Sequence, residues 1–345
     1  MFKVRGFTPQ SQQRQSLCNR LRADLRADSG NAPVFCPCCP LHLTRRRLIA
    51  SAAALALGGA AAAALPMQEV APGIFVRRGE DADATAANGD AIANIGFVIG
   101  RDAIAVIDPG GSGADGARLL AAIRVRSERP IRYVIASHVH LDHIFGANAF
   151  RAEGVEFIGH ARLPAALAAR GAFYRQHLVD LLGPTAAGDF VPPTRLVEDE
   201  LRLDLGDRVL EITAHPPAHT DTDLTVRDGA SGTFWAADLL FVGRIPVLDG
   251  SLTGWLATLA ALKQQAARRA VPGHGPVSVA WPEAAADEER YLATLAREVR
   301  ALIAKGVDIE IASREVGYTE RDKWRLFDDY NARNVIEAYK ELEWE

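Results

Sequence analysis

Four side chains able to bind a metal, His138, His140, Asp142 and His143, fall within six residues of one another. The apolar run Tyr133-Val134-Ile135-Ala136 before them reads as a buried strand, and Ile144-Phe145-Gly146 follows them. A chain that leaves a strand and turns at once can project His138 and His140 together from the strand end. Asp142 and His143 fall beyond the turn, where a helix begins, and point towards a second position a few ångströms away. The spacing therefore predicts a dinuclear site. Imidazole with carboxylate suits zinc, iron or manganese, and three histidines crowded against an aspartate have little structural use without a cation.

The rest of the chain can support such a site. With 345 residues, 48% of them hydrophobic, it can bury a full core as one large domain or two small ones. The net charge of −4 hides an asymmetry. Residues 1–64 carry nine Lys/Arg and two Asp/Glu, which leaves 30 basic against 41 acidic residues beyond them, a balance near −11. An acidic body opposes phosphate binding, so nucleic acid is not an expected partner, and a small-molecule substrate is. All four cysteines, Cys18, Cys36, Cys38 and Cys39, precede residue 45. The folded part is thus expected to have neither disulfide nor thiolate ligand. Cys36-Pro-Cys-Cys could be a zinc or redox cluster, but no matching pair accompanies it, and leader sequence or an early start codon is the preferred reading.

Residues 1–43 show no sustained period and are assigned no fold. Thr44-Arg45-Arg46-Arg47-Leu48-Ile49 then opens an Ala/Leu/Gly run ending in Ala62-Ala63-Ala64, an export signal over 44–64 with a cleavable end. Paired arginines before a weakly hydrophobic segment resemble a twin-arginine leader, although leucine stands where phenylalanine is common. The run is short and poor in transfer energy, so cleavage near Leu65 is expected, with a periplasmic product and no stable membrane anchor afterwards.

Beyond it, Gly73–Arg77, Ala93–Gly100 and Ala103–Asp108 read as strands of one sheet, Ala114–Val125 as a helix with Leu119, Leu120 and Ile123 on one face, and 132–136 as the strand feeding the metal loop. Phe157-Ile158 and the helical stretch Ala161–Leu182 repeat the pattern, with His160 between them as a structural histidine. Residues 183–193 form a loop that could overhang the site. Arg195–Leu205, Arg208–Ala214 and Asp223–Val226 read as strands, and the chain from Trp281 as mainly helical, with Lys323–Asn334 packing on the body or capping the pocket. Two strand-rich blocks separated by helices suggest two βα halves face to face within residues 65–345, the site at their shared edge.

Three later residues complete the first loop. His219 ends Pro216-Pro217-Ala218-His219, Asp238 ends the expected strand Phe234–Asp238, and His274 lies in Pro272-Gly273-His274-Gly275. Strand ends and glycine turns let side chains reach a shared edge. His138, His140 and His219 then serve one metal, Asp142, His143 and His274 the other, and Asp238 bridges them.

His138-x-His140-x-Asp142-His143 followed in order by His219, Asp238 and His274 resembles the metallo-β-lactamase superfamily of hydrolases over about residues 70–276. The resemblance implies an α/β fold, a four-layer αββα sandwich, with two zinc ions at one edge. Aspartate rather than cysteine at the bridging position is as in glyoxalase II-like hydrolases. The stretch from Asp238 through Arg244 and Asp249 to Trp255, together with the ending Asn334–Glu345, resembles the quinoprotein relay system zinc metallohydrolases, which are related to SoxH. That likeness implies an association with a periplasmic quinoprotein or cytochrome.

The expected chemistry is hydrolysis of an ester, thioester or related bond. A hydroxide shared by cations roughly 3.5–4 Å apart attacks, Asp142 orients it, and no Ser, Cys or separate His base is needed. Arg244, Asp249, Ser251 and Trp255 are the expected substrate wall. The competing readings are a mononuclear iron oxygenase of thiols or persulfides, a non-catalytic metal-binding accessory and, less favoured, a β-lactamase.

Overall fold

The computed structural model describes residues 65–345; the extension 1–43 and the export signal 44–64 lie outside the described residues. Two sheets carry the architecture. The first runs in strand order β1 (Gln68–Ala71), β2 (Ile74–Arg77), β3 (Ile95–Ile99), β4 (Ile104–Ile107), β5 (Ile131–Ile135), β6 (Glu156–His160) and β7 (Arg195–Val197). The second comprises β8 (Glu200–Asp204), β9 (Val209–Ala214), β10 (Leu224–Asp228), β11 (Thr233–Phe241), β12 (Arg269–His274) and β13 (Val279–Ala280), lying in reverse order from β13 to β8. Strands β4 to β7 are parallel to one another, as are β11 and β12, and the other pairs are antiparallel.

The helices are α1 (Gly113–Arg126), α2 (Leu141–Ile144), α3 (Leu163–Leu182), α4 (Pro184–Ala187), α5 (Leu252–Leu262), α6 (Ala286–Ile303), α7 (Ile309–Glu315) and α8 (Phe327–Leu342). Ser112 caps α1 by accepting the Asp115 N–H at 3.2 Å, and Arg124 and Arg126 sit at its negative end.

Strand periodicity explains the layers. Along β4 and β3, Ile104, Val106, Ile95 and Phe97 face Leu119, Ala122 and Ile123 of α1. Their neighbours Ala105, Ile107 and Val98 face the other way and pack with Leu210, Ile212, Val226 and Trp235 of the second sheet. On β11 the alternation recurs, Trp235 facing the first sheet and Phe234 and Ala236 facing Trp255, Tyr291, Leu295 and Val335 of the helices behind. The layers run helix, sheet, sheet, helix, as the family resemblance implied.

Three local readings need correction. Arg195–Leu205 is two strands, because the chain crosses from the first sheet to the second at Glu198-Asp199. The acidic run Glu198-Asp199-Glu200 interrupts the apolar alternation at the crossing, a break that the reading as one strand passed over. Asp238 lies inside β11, which continues to Phe241. Residues 183–193 pack beside α1 and α2, with Phe190 against Phe145 at 5.7 Å, and do not wall the site.

Candidate metal centre

Each expected donor leaves the fold at a point that frees its side chain. His138 and His140 follow β5, and Asp142 and His143 occupy α2, with His140 at its N-cap. His219 sits between β9 and β10, and His274 is the last residue of β12. Asp238 is aimed by a bulge: the register against β12 shifts on both sides of Ala237, whose φ is 48°. Close approach accounts for Gly273, where a Cβ would stand 1.7 Å from Asp238 Oδ1.

The structure gathers these seven side chains into two sets. Donor atoms of His138, His140, His219 and Asp238 lie within 4.8 Å of one another, and so do those of Asp142, His143 and His274. Asp238 reaches both. Its Oδ1 is 3.1 Å from His143 Nε2, and its Oδ2 is 3.3 Å from His219 Nε2, 3.4 Å from His274 Nε2 and 3.7 Å from His138 Nε2. Asp142 Oδ2 is 3.4 Å from His274 Nε2 and 3.6 Å from His143 Nε2.

The opposite nitrogen of every ring is held by an acceptor. His138 Nδ1 is 3.0 Å from Ser137 Oγ, whose own proton goes to Asp108, and His143 Nδ1 is 2.9 Å from Asp108 Oδ2. His219 Nδ1 meets the Val247 carbonyl at 2.7 Å and His274 Nδ1 the Ile92 carbonyl at 3.0 Å. His140 is turned the other way, its Nε2 3.0 Å from Asp249 Oδ2 and its Nδ1 3.0 Å from His219 Nε2. Five ring nitrogens therefore converge with the opposite nitrogen of each ring held, the arrangement that orients metal-binding histidines.

His138 Nε2, His143 Nε2 and Asp238 Oδ1 are buried and make no well-aligned hydrogen bond, the last two despite lying 3.1 Å apart. Orphaned buried polar atoms are costly, and facing each other across this gap they fit a cation. The charge states agree. Burial drives His138 well below its ordinary pKa and His219 to about 3, so both rings are neutral donors. Against burial, His143 and His274 hold Asp142 below the carboxylate range, and those two rings with His138 hold Asp238 well below it. Against burial, Asp238 in turn raises His143 and His274, so without a cation these two rings favour a proton that metal binding would displace. That concentration of negative charge is what a divalent cation satisfies.

A cavity of about 590 Å³ opens onto the donors, and His140, Asp142, His219, Asp238 and His274 line it. Arg244 and Asp249 belong to its wall. Two expected wall residues do not. Ser251 caps α5 through the Gly254 N–H and donates to Glu341. Trp255 is fully buried, its ring 5.2 Å from that of His219, because α5 turns its apolar face into the core. Asp249 also differs from expectation in that its carboxylate is engaged by His140 and Arg170. His160 stands outside both sets, accepting the Arg162 N–H on Nδ1.

The sequence reading missed Asp108 as a partner of His143, and the cavity residues Asp90, Arg170, Tyr174, Tyr330 and Arg333. Asp108 carried a signal, an aspartate ending a strand beside the metal loop. Tyr330 and Arg333 fall in the segment 323–334 raised as a cap on the pocket, though neither was singled out. Arg170 and Tyr174 carried no signal, since helix spacing does not show which face meets a cavity, and Asp90 lies in a turn without a motif.

A family model, the metallo-beta-lactamase superfamily, matches residues 88–274. The chain belongs to that superfamily. The match begins just before β3 and stops at His274, so it contains every donor and excludes α6 to α8. Among solved structures, the stereoselective inverting sec-alkylsulfatase Pisa1 from Pseudomonas sp. is similar with a TM-score of 0.62 at 16% identity, covering 80% of this chain and 50% of that one. This chain thus spans half the length of that enzyme. The metallo-beta-lactamase from Pontibacter korlensis has a TM-score of 0.54 at 18% identity, covering 66% of this chain and 99% of that one. TMB-1 has a TM-score of 0.53 at 17% identity, with 67% and 97% covered. At these identities the likeness is one of fold. No curated protein matches the chain by sequence.

Proposed function

We propose that this superfamily member is an exported dinuclear zinc hydrolase of an ester, thioester or related bond. The observation that carries the reading is the convergence of five oriented imidazoles and two carboxylates in two sets that share Asp238. His138, His140 and His219 would hold one cation, Asp142, His143 and His274 the other, with Asp238 between. When bound, two such cations supply Lewis acidity and bring the pKa of water at the site from 15.7 to about 7.

The chain's own residues do the rest. Asp142 faces the cavity and is held ionised by His143 and His274. Its carboxylate accepts a hydrogen bond from the attacking water and so fixes the water's orientation. Arg244 and Tyr330, on the cavity wall, orient the substrate. Val247, Phe241 and Leu141 exclude bulk water from the reacting bond. A carboxylate at position 238 offers two hard oxygens and suits an acyl, sulfuryl or phosphoryl centre better than a thiolate would.

Metal analysis of the purified protein with a panel of thioesters, lactones, sulfate and phosphate esters and β-lactams tests the reading. Two zincs per chain and kcat/KM highest for an ester or thioester are expected. One iron per chain would turn the assignment to a thiol oxygenase, and a clear preference for lactams to a β-lactamase. Export is tested separately: changing Arg45 and Arg46 to Lys should leave precursor in the cytoplasm, and undiminished periplasmic protein would remove the twin-arginine route. The pairing with a quinoprotein predicts co-purification of a periplasmic dehydrogenase or cytochrome with the tagged protein.

A further inference from the structure

Outside the seven donors, the cavity wall carries Arg170, Arg244 and Arg333 against Asp90 and Asp249. That is a surplus of one positive charge on the wall. Arg244 is 3% exposed and its Nε has no partner; its Nη1 donates to the Ala82 carbonyl at 2.9 Å. Arg170 from α3 and Arg333 from α8 converge on a single carboxylate. Arg170 donates to Asp249 Oδ2, and Arg333 Nη2 stands 3.5 Å from Oδ1. Asp249 Oδ2 also accepts from His140. One carboxylate divided among three donors cannot saturate two guanidinium forks of five N–H groups each. Arg170 is half-buried and Arg333 exposed, and both line a cavity whose wall also includes Leu141, Ala169 and Phe173.

We propose that the cavity binds substrates bearing a second, uncleaved oxyanion, a carboxylate, sulfate or phosphate, seated on Arg170 and Arg333. Guanidinium forks recognise such groups bidentately, which a lone ammonium does not. Only Asp249 separates His140 from the two arginines, so the spacer between the cleaved bond and the anion is short, with Leu141, Ala169 and Phe173 beside it. The inference rests on the proposed hydrolase function only in calling the bound molecule a substrate.

Calorimetric titration of the metal-loaded full chain with glutarate, neutral glutaramide and inorganic sulfate tests it without turnover. Glutarate is expected to bind at least about tenfold more tightly than glutaramide and to weaken with added salt. Arg333→Ala should weaken glutarate about tenfold at unchanged metal content, and Arg333→Lys should restore part of the loss, as charge without the fork would. Arg170→Ala provides an independent second variant. Sulfate binding with the same arginine dependence means that the subsite accepts oxyanions generally, and glutarate binding alone means a carboxylate; both support the proposal. Anion binding indifferent to both alanine variants would place the anion on the metals and overturn it, as would no binding at millimolar concentrations. Failure to hydrolyse any ester would count against the hydrolase and leave this result standing.

Discussion

Asp249 joins two tasks in one carboxylate. It accepts the His140 Nε2 proton, which leaves Nδ1 as the donor atom, and it anchors Arg170. Asp249→Ala should lower metal affinity about 10- to 100-fold, the usual effect of losing a partner to a ligating histidine. Chelator competition measures this, and unchanged affinity would show that the ring needs no such support. His160→Ala, outside both sets, should keep both metals. His215 illustrates a different cost. Burial holds this ring at a pKa of about 4, while its Nε2 lies 2.8 Å from Thr225 Oγ1. A histidine pKa lower in the folded state than the unfolded value of about 6.5 means that the unfolded chain takes up the proton first. Stability is therefore full above pH 6.5 and is lost as pH falls towards 4, at up to about 1.4 kcal/mol per pH unit. Denaturant titrations at pH 7 and 4.5 should show a shallower loss in His215→Gln than in the parent; equal losses would put the acid sensitivity elsewhere.

The C-terminal helix α8 holds the loop from Arg244 to Asp249 in place. Asn334 Oδ1 accepts the Leu248 N–H at 2.9 Å, and its amide donates to the Pro246 carbonyl at 2.6 Å and to the Tyr291 hydroxyl at 3.0 Å. Two turns of helix further on from these contacts, Glu341 accepts the N–H groups of Leu252 and Thr253 at the start of α5. Asn334→Ala leaves buried polar groups unmatched and should cost roughly 3 kcal/mol. Chemical denaturation reads that loss, and a cost under about 1 kcal/mol would mean the loop is held by other contacts. Sequence reading placed α1 and α3 within about two residues of their observed ends; Ser112 caps the start of α1 and Gly183-Pro184 follows the end of α3, both local signals of a helix limit. It also raised the C-terminal segment as a cap on the pocket, and Tyr330 and Arg333 do line it. Which helix face would do so depends on how α8 crosses the loop, a relation between segments about 85 residues apart.

On the scale of the molecule, the donors sit where the two sheets meet at one end, buried on both sides, and a bound cation should stabilise the whole fold. Binding to the folded state alone contributes about 4 kcal/mol when the free ion is at 1,000 times its Kd. Chelator-treated protein should therefore melt lower than protein reloaded with zinc, and equal melting temperatures would mean that zinc does not bind the native state. No helix among the described residues is long and apolar enough to cross a membrane. By itself the sequence determined the layered α/β class and four of the candidate donors, since period-2 alternation and a six-residue cluster of donor side chains are local properties. His219, Asp238 and His274 were weak signals singly and joined the set through their order in the family resemblance. Tertiary structure alone decided that Asp238 is aimed by a bulge within β11, that Asp108 and Asp249 hold His143 and His140, and that arginines from two distant helices share the cavity. Those are contacts between segments far apart in the chain, set by how the sheets and helices pack, and composition and spacing do not encode them locally.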